Sequence, residues 1–159
     1  RKTEVIPIKI PPGVRNGESI KIFGMGNAGK RGGPSGDLIA LIREIPHPKF
    51  VRDKDNIIMY LPVGVITATI GGKEMIKGID GEGIEIEIAS GTQFGDIIEV
   101  KNSGLPQYGG GRRGSLLIQV IIVVPTHLSR EEKKLLRLLA EQEKPPKKVV
   151  FEKLLKTMR

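Results

Sequence analysis

Alternation of apolar and polar residues dominates the chain up to about residue 125. Several segments alternate or run apolar with β-branched residues, and Gly, Pro, Asn and Asp bound them, which is the pattern of β-strands. These segments are VIPIKIPPG, ESIKIF, GDLIALIREI, NIIMYLPV, IEIEIASG, DIIEVKNSG and GSLLIQVIIVV. In IEIEIASG, Glu85 and Glu87 alternate with isoleucines. The alternation predicts a solvent-facing side, not the paired acid and base of a catalytic cleft.

The strand segments recur at a fixed distance along the chain. Gly13 matches Gly91 and Gly17 matches Gly95, a distance of 78 residues in both pairs (91 − 13 = 78). The same distance joins Ile6, Ile8 and Ile10 to Ile84, Ile86 and Ile88, Ile20 to Ile98, Gly26 and Gly33 to Gly104 and Gly111, and Gly36 and Leu38 to Gly114 and Leu116. So many matches without a gap predict a duplicated β unit. A second unit starting near Pro46 implies that the first starts about thirty residues before Arg1, so we expect a longer parent protein.

A glycine-rich stretch, FGMGNAGKRGG from Phe23 to Gly33, nearly satisfies two phosphate-binding signatures. The repeat argues against both, because Gly24 is matched by Asn102 and Lys30 by Tyr108. The stretch also leads through Pro34 into another strand pattern, so no helix is predicted to receive a phosphate. We interpret it as a connection between strands that needs glycine for its backbone conformation.

The period changes to a helical one after residue 127. Ser129 and Glu132 have the spacing of a capping box, in which each side chain accepts a hydrogen bond from an N–H of the first turn. The helix that follows carries Leu135, Leu138 and Leu139 on one face, and it is predicted to stop near Lys144, before two prolines. A second amphipathic segment, VVFEKLLKTM, follows. These apolar faces either dock on the β units or pair with another chain, and we favour symmetric pairing.

Composition excludes several classes of site. The chain has no cysteine and two histidines, so a thiolate zinc site and a cysteine nucleophile are excluded, and the sequence shows no metal site, triad or other enzyme chemistry.

No apolar run is long enough to cross a membrane and no signal-peptide block is present, so we expect a cytoplasmic protein without membrane contact. The net charge is +8, with ten basic and five acidic residues in 127–159. Aromatic residues make up 4% of the chain, which disfavours specific nucleic-acid binding.

One further motif is specific enough to indicate a family. His47, Pro48, Phe50 and Arg52 form an H-P-x-F-x-R pattern within GDLIALIREIPHPKFVRDKDNI. Together with IPPGVRNGESIKIFGMGNAG, GIDGEGIEIEIASGTQFGD and SGLPQYGGGRRGSLLIQVIIVVPTHLSREEKKLL, it resembles the C-terminal region of DnaJ-family co-chaperones over nearly the whole chain.

The resemblance implies two tandem, similar β-sandwich domains followed by a short helical dimerisation tail. The first sandwich would be incomplete on its N-terminal side. We expect residues 1–45 to be the second part of the first sandwich, 46–125 the second sandwich and 126–159 the dimerisation segment. The J domain, and any zinc-binding module that the parent protein has, would lie before Arg1, so no cofactor is expected in this chain itself.

Site residues and partners also follow from the resemblance. Such domains bind unfolded polypeptides through an apolar pocket and a strand edge of the first sandwich, to which Phe50 would contribute. Packing at the junction of the two sandwiches is the competing role for Phe50. The expected homodimer contacts are Leu135, Leu138, Leu139, Phe151, Leu154 and Leu155. The full-length protein would deliver clients to a DnaK-type ATP-driven chaperone, which it would contact through the J domain.

Two other functions stay open on the sequence. The basic tail suits a β-rich scaffold that binds nucleic acid or another polyanion, which predicts steep loss of binding with salt. A purely structural dimerisation piece without client contact is the third hypothesis.

Overall fold

The computed structural model describes residues 5–142, and residues 1–4 and 143–159 lie outside the described part. The described chain is mostly β, with one short internal helix and a longer helix near its C-terminal end. In chain order the elements are β1 (Ser19–Ile22), β2 (Leu38–Leu41), β3 (Phe50–Asp53), β4 (Asn56–Gly64), α1 (Val65–Ile70), β5 (Gly72–Lys77), β6 (Gly83–Ile88), β7 (Ile97–Val100), β8 (Leu116–Val123) and α2 (Arg130–Gln142). A mostly β fold with a helical tail is therefore confirmed.

Three sheets are formed by the described residues. Strands β1 and β2 form an antiparallel pair, and so do β5 and β6. The remaining strands form a four-stranded sheet in the order β3, β4, β8, β7, in which β3 and β4 are antiparallel. The described residues divide into two compact units, one with those up to Met59 together with Glu99–Leu117, the other with Tyr60–Ile98 and those from Ile118 to Gln142.

The hydrogen bonds reproduce the sequence repeat. Strand β1 begins at residue 19 and β7 at 97, while β2 begins at 38 and β8 at 116, so both pairs keep the distance of 78. The backbone N–H of Gly17 donates to Ile42 at 2.9 Å, and its counterpart Gly95 donates to Val120 at 2.9 Å. Likewise, Gly26 donates to Gly36 at 2.7 Å and the matching pair 104 and 114 bonds at 2.9 Å. We call residues 13–42 the first copy and 91–120 the second copy.

Alternating apolar residues build the core of the second compact unit. Val63, Ala68, Ile88 and Val120 are buried together, and Leu61, Ile98 and Ile122 pack against them. The opposite face of the β5–β6 pair is charged. Glu85 and Glu87 are exposed there, and the Lys73 ammonium donates to Glu85 at 2.8 Å. The predicted solvent-facing side is confirmed.

One local expectation from the sequence was wrong, and one helix was not anticipated. VIPIKIPPG contains no strand within the described residues, and its prolines lack the N–H that a sheet ladder requires. The six-residue helix α1 was not predicted, because VITATI is rich in β-branched residues that favour strands. Burial of Ala68 at 3% exposure and a C-terminal Gly71 with φ 85° stabilise the helix instead. The paired glycines after α1 were the available signal, since glycine commonly ends helices.

Candidate functional site

The H-P-x-F motif forms a short turn that leads into β3. The rings of His47 and Phe50 lie with centroids 5.0 Å apart and planes tilted by 37°. The N–H of Lys49 donates to His47 Nδ1 at 3.1 Å, which holds the imidazole over the turn. Phe50 is the first residue of β3, lies opposite Met59 and is half-buried.

Arg52 follows Phe50 on the same face of β3, because both are half-buried while the alternate residues are exposed. Its Nη1 donates to the carbonyl of Val14 at 2.9 Å and to the Glu44 carboxylate at 3.1 Å. Its Nη2 donates to the carbonyl of Gly13 at 3.2 Å, and its Nε to that of Lys54 at 2.9 Å. Arg52 thus ties β3 to two other segments of the first compact unit.

Backbone packing requires glycine where the first copy approaches the 106–113 hairpin. A Cβ on Gly13 would lie 2.5 Å from the Pro106 oxygen and the Gln107 carbonyl carbon. The N–H of Gly109 donates to the Pro12 carbonyl at 3.3 Å across the same contact. Residues 12–14 are therefore held between this hairpin and Arg52.

The sheet of the first copy exposes apolar side chains. In β2, Ile39 is 67% exposed and Leu41 is 72% exposed. Phe23, just after β1, is 76% exposed and carries the Lys21 ammonium 5.1 Å from its ring centroid. The alternate residues of the first copy, Leu38, Ala40 and Ile42, are half-buried. Their counterparts in the second copy are fully buried, and these are Leu116, Ile118 and Val120.

The glycine-rich loop between β1 and β2 is shaped by contacts within the protein. A Cβ on Gly26 would lie 2.6 Å from the Asp37 oxygen, and one on Gly29 would lie 2.5 Å from the Gly33 oxygen. The Asp37 carboxylate accepts hydrogen bonds from Lys21 and from the N–H of Gly24, and both lower its pKa. These contacts support the interpretation of the loop as a structural connection.

Helix α2 has the predicted cap and an uncovered apolar stripe. The N–H of Ser129 donates to the Glu132 carboxylate at 2.7 Å, and the N–H of Glu132 donates to Ser129 Oγ at 3.2 Å, so the capping box is confirmed. Hydrogen bonding of the Glu132 carboxylate to the backbone N–H of Ser129, and secondarily to the Ser129 side chain, lowers the pKa of Glu132. Leu135, Leu138 and Leu139 are 66%, 49% and 59% exposed. The other expected dimer contacts, Phe151, Leu154 and Leu155, lie outside the described residues.

Phe50 is a site residue predicted from the sequence, whereas Glu44 received no role there. Arg52 entered only as part of the motif and Gly13 only as part of the repeat, although both contribute to the contacts that anchor β3. The spacing of Phe50 and Arg52 was the available signal, because alternate strand residues share a face. Among residues 5–142, no group of three or more His, Asp or Glu side chains is placed to hold a metal ion, and no helix is long and apolar enough to span a membrane.

The fold therefore defines a duplicated β protein with a helical tail, and comparison with known proteins gives its family. The model of the DnaJ C terminal domain matches residues 1–125, so the chain belongs to that family. It is 41% identical over 113 residues to the Chaperone protein DnaJ of Bacteroides fragilis, a match covering 71% of this chain and 28% of that protein. It is 37% identical over 113 residues to the Chaperone protein DnaJ 2 of Aquifex aeolicus, covering 71% and 30%. The match thus spans less than a third of each relative.

Proposed function

We propose that this chain is the client-binding and dimerisation region of a DnaJ-type co-chaperone. In this function it binds unfolded polypeptides in the cytoplasm and holds them for a DnaK-type ATP-driven chaperone, without catalysing a reaction itself. Membership of the DnaJ C terminal domain family supports the co-chaperone role, and the matched relatives carry the name Chaperone protein DnaJ. We also propose that residues 1–45, 46–125 and 126–159 are its first sandwich part, second sandwich and dimerisation segment.

Membership of the DnaJ C terminal domain family is the observation that best supports client binding, and the apolar side chains on the first copy would suit such a site. Ile39 and Leu41 protrude from β2, where the second copy has the half-buried Leu117 and Gln119. Binding of an extended chain to a sheet edge uses main-chain hydrogen bonds, which are indifferent to sequence. Apolar side chains beside that edge favour the large residues that non-native chains expose. The half-buried ring of Phe50 would add one wall of such an apolar site.

The uncovered stripe of α2 supports dimerisation. Its three leucines are exposed in the single chain, and an amphipathic helix gains stability when its apolar face is buried. A second copy offers the same stripe, so symmetric pairing of α2 would cover both. Two weak peptide sites on one dimer then bind a long client through effective concentration, and weak single sites still allow release.

Peptide binding at two salt concentrations tests the proposal. A fluorescently labelled, unstructured apolar peptide is titrated with the chain, and anisotropy is recorded at low and high salt. We expect binding to persist at high salt, and Phe50→Ala to weaken it by about tenfold, since burying a phenylalanine contributes about 1.5–3 kcal/mol. Phe94→Ala is the matched control, because Phe94 is 53% exposed in the other compact unit.

Two results would overturn the proposal. Absence of peptide binding by the wild-type chain would refute client capture by this region. Binding that disappears with salt, while a polyanion binds, would favour the polyanion-binding scaffold, because phosphate contacts lose affinity steeply with salt.

A further inference from the structure

The turn that presents Phe50 is closed at its base. Arg52 Nη1 lies 3.1 Å from a carboxylate oxygen of Glu44, so an ion pair joins the residues before and after the H-P-x-F motif. The N–H of Glu44 also donates to Asn16 Oδ1 at 2.9 Å, which fixes that end of the turn to the segment before β1. A loop held at both ends has already lost much of its conformational freedom before a ligand arrives.

The guanidinium of Arg52 reaches acceptors on two other segments and in the turn that directly follows β3. They are the carbonyls of Gly13 and Val14, the Glu44 carboxylate and the carbonyl of Lys54. The Arg52 side chain is 19% exposed, so solvent weakens these bonds less than it weakens a surface ion pair. A planar guanidinium can donate in several directions at once, whereas a lysine ammonium is a single point. Lysine is therefore not equivalent at this position.

We propose that Arg52 is a positioning residue for Phe50. By closing the turn on Glu44 and anchoring β3 on the 13–14 carbonyls, it sets the orientation in which Phe50 meets His47. The identity of the ligand that Phe50 binds rests on the proposed function, but the positioning itself does not. Phe50 and Arg52 share one face of a four-residue strand, so release of Arg52 loosens the strand that carries Phe50.

Arg52→Lys in the full chain tests this role by NMR. We expect the amide hydrogen of Glu44 to exchange with solvent about tenfold faster, because the Glu44 side chain loses its ion pair with residue 52 and the backbone at Glu44 opens more often. Nuclear Overhauser contacts between the His47 and Phe50 rings should weaken. The affinity for an apolar peptide should fall by about fivefold to tenfold, which is the size of effect expected when hydrogen bonds from a charged group are lost. Glu44→Gln removes the ion pair from the more exposed end of the turn, and it should cause the same changes to a smaller extent.

Lys73→Ala is the matched control, since it removes an exposed ion pair with Glu85 in the other compact unit. It should change none of these three quantities. Unchanged ring contacts and Glu44 exchange in Arg52→Lys would overturn the proposal. Changed ring contacts with unaltered peptide affinity would overturn the role of Arg52 in binding. Absence of peptide binding by the wild type would refute the proposed function alone, and the ring contacts would still decide the positioning.

Discussion

Replacement of two matched glycines by alanine separates backbone strain from close packing. Gly13 and Gly91 occupy equivalent positions 78 residues apart, and their φ angles are 77° and 78°. Alanine in this left-handed conformation costs about 1–2 kcal/mol at either position. A Cβ on Gly91 meets nothing within 4 Å, whereas one on Gly13 lies 2.5 Å from backbone atoms of Pro106 and Gln107.

The close approach at Gly13 adds a second cost. Backbone atoms cannot move aside as a flexible side chain does, and overpacking of this kind costs about a further 1–3 kcal/mol. We therefore expect Gly91→Ala to lower the free energy of unfolding by about 1–2 kcal/mol and Gly13→Ala by about 2–5 kcal/mol. Urea denaturation followed by circular dichroism measures both variants. Equal losses for the two would refute the assignment of Gly13 to a packed contact.

Two further predictions concern α2. Leu139→Glu, and equally Leu135→Glu, should convert dimers to monomers in sedimentation velocity and weaken retention of a long client. Arg137→Glu, on the other side of the helix, should do neither. Dimers that persist in the leucine variants would contradict the assignment of this apolar stripe to dimerisation. The pKa of Glu132 in the folded helix is lower than its ordinary value of 4.5, so the ionised carboxylate stabilises the helix fully at pH values above 4.5. This stabilisation is lost as the pH falls through the lower pKa of the folded state. Helicity measured by circular dichroism should therefore decrease on acidification, and Glu132→Gln should remove that part of the decrease; an identical acid profile in the variant would contradict the capping role.

Periodic and local features of this protein were determined by the sequence. The period of two fixed which face of β6 is solvated, because alternate side chains of a strand point to opposite faces. The S-x-x-E spacing fixed the start of α2, because its two hydrogen bonds need only residues within one turn. The repeat predicted a duplicated β unit, and its two copies have matching strand starts and turn hydrogen bonds because similar segments adopt similar backbones.

Only the tertiary structure decided which of the matched residues differ in role. Gly13 and Gly91 are indistinguishable in the repeat, yet Gly13 alone of the two contacts the 106–113 hairpin. Helix α1 forms against the strand preference of VITATI because Ala68 is buried in a core assembled from distant strands. Arg52 donates to the carbonyls of residues 13 and 14, which lie 39 and 38 residues away in sequence. Such contacts join segments that only folding brings together, so no local pattern of residues specifies them.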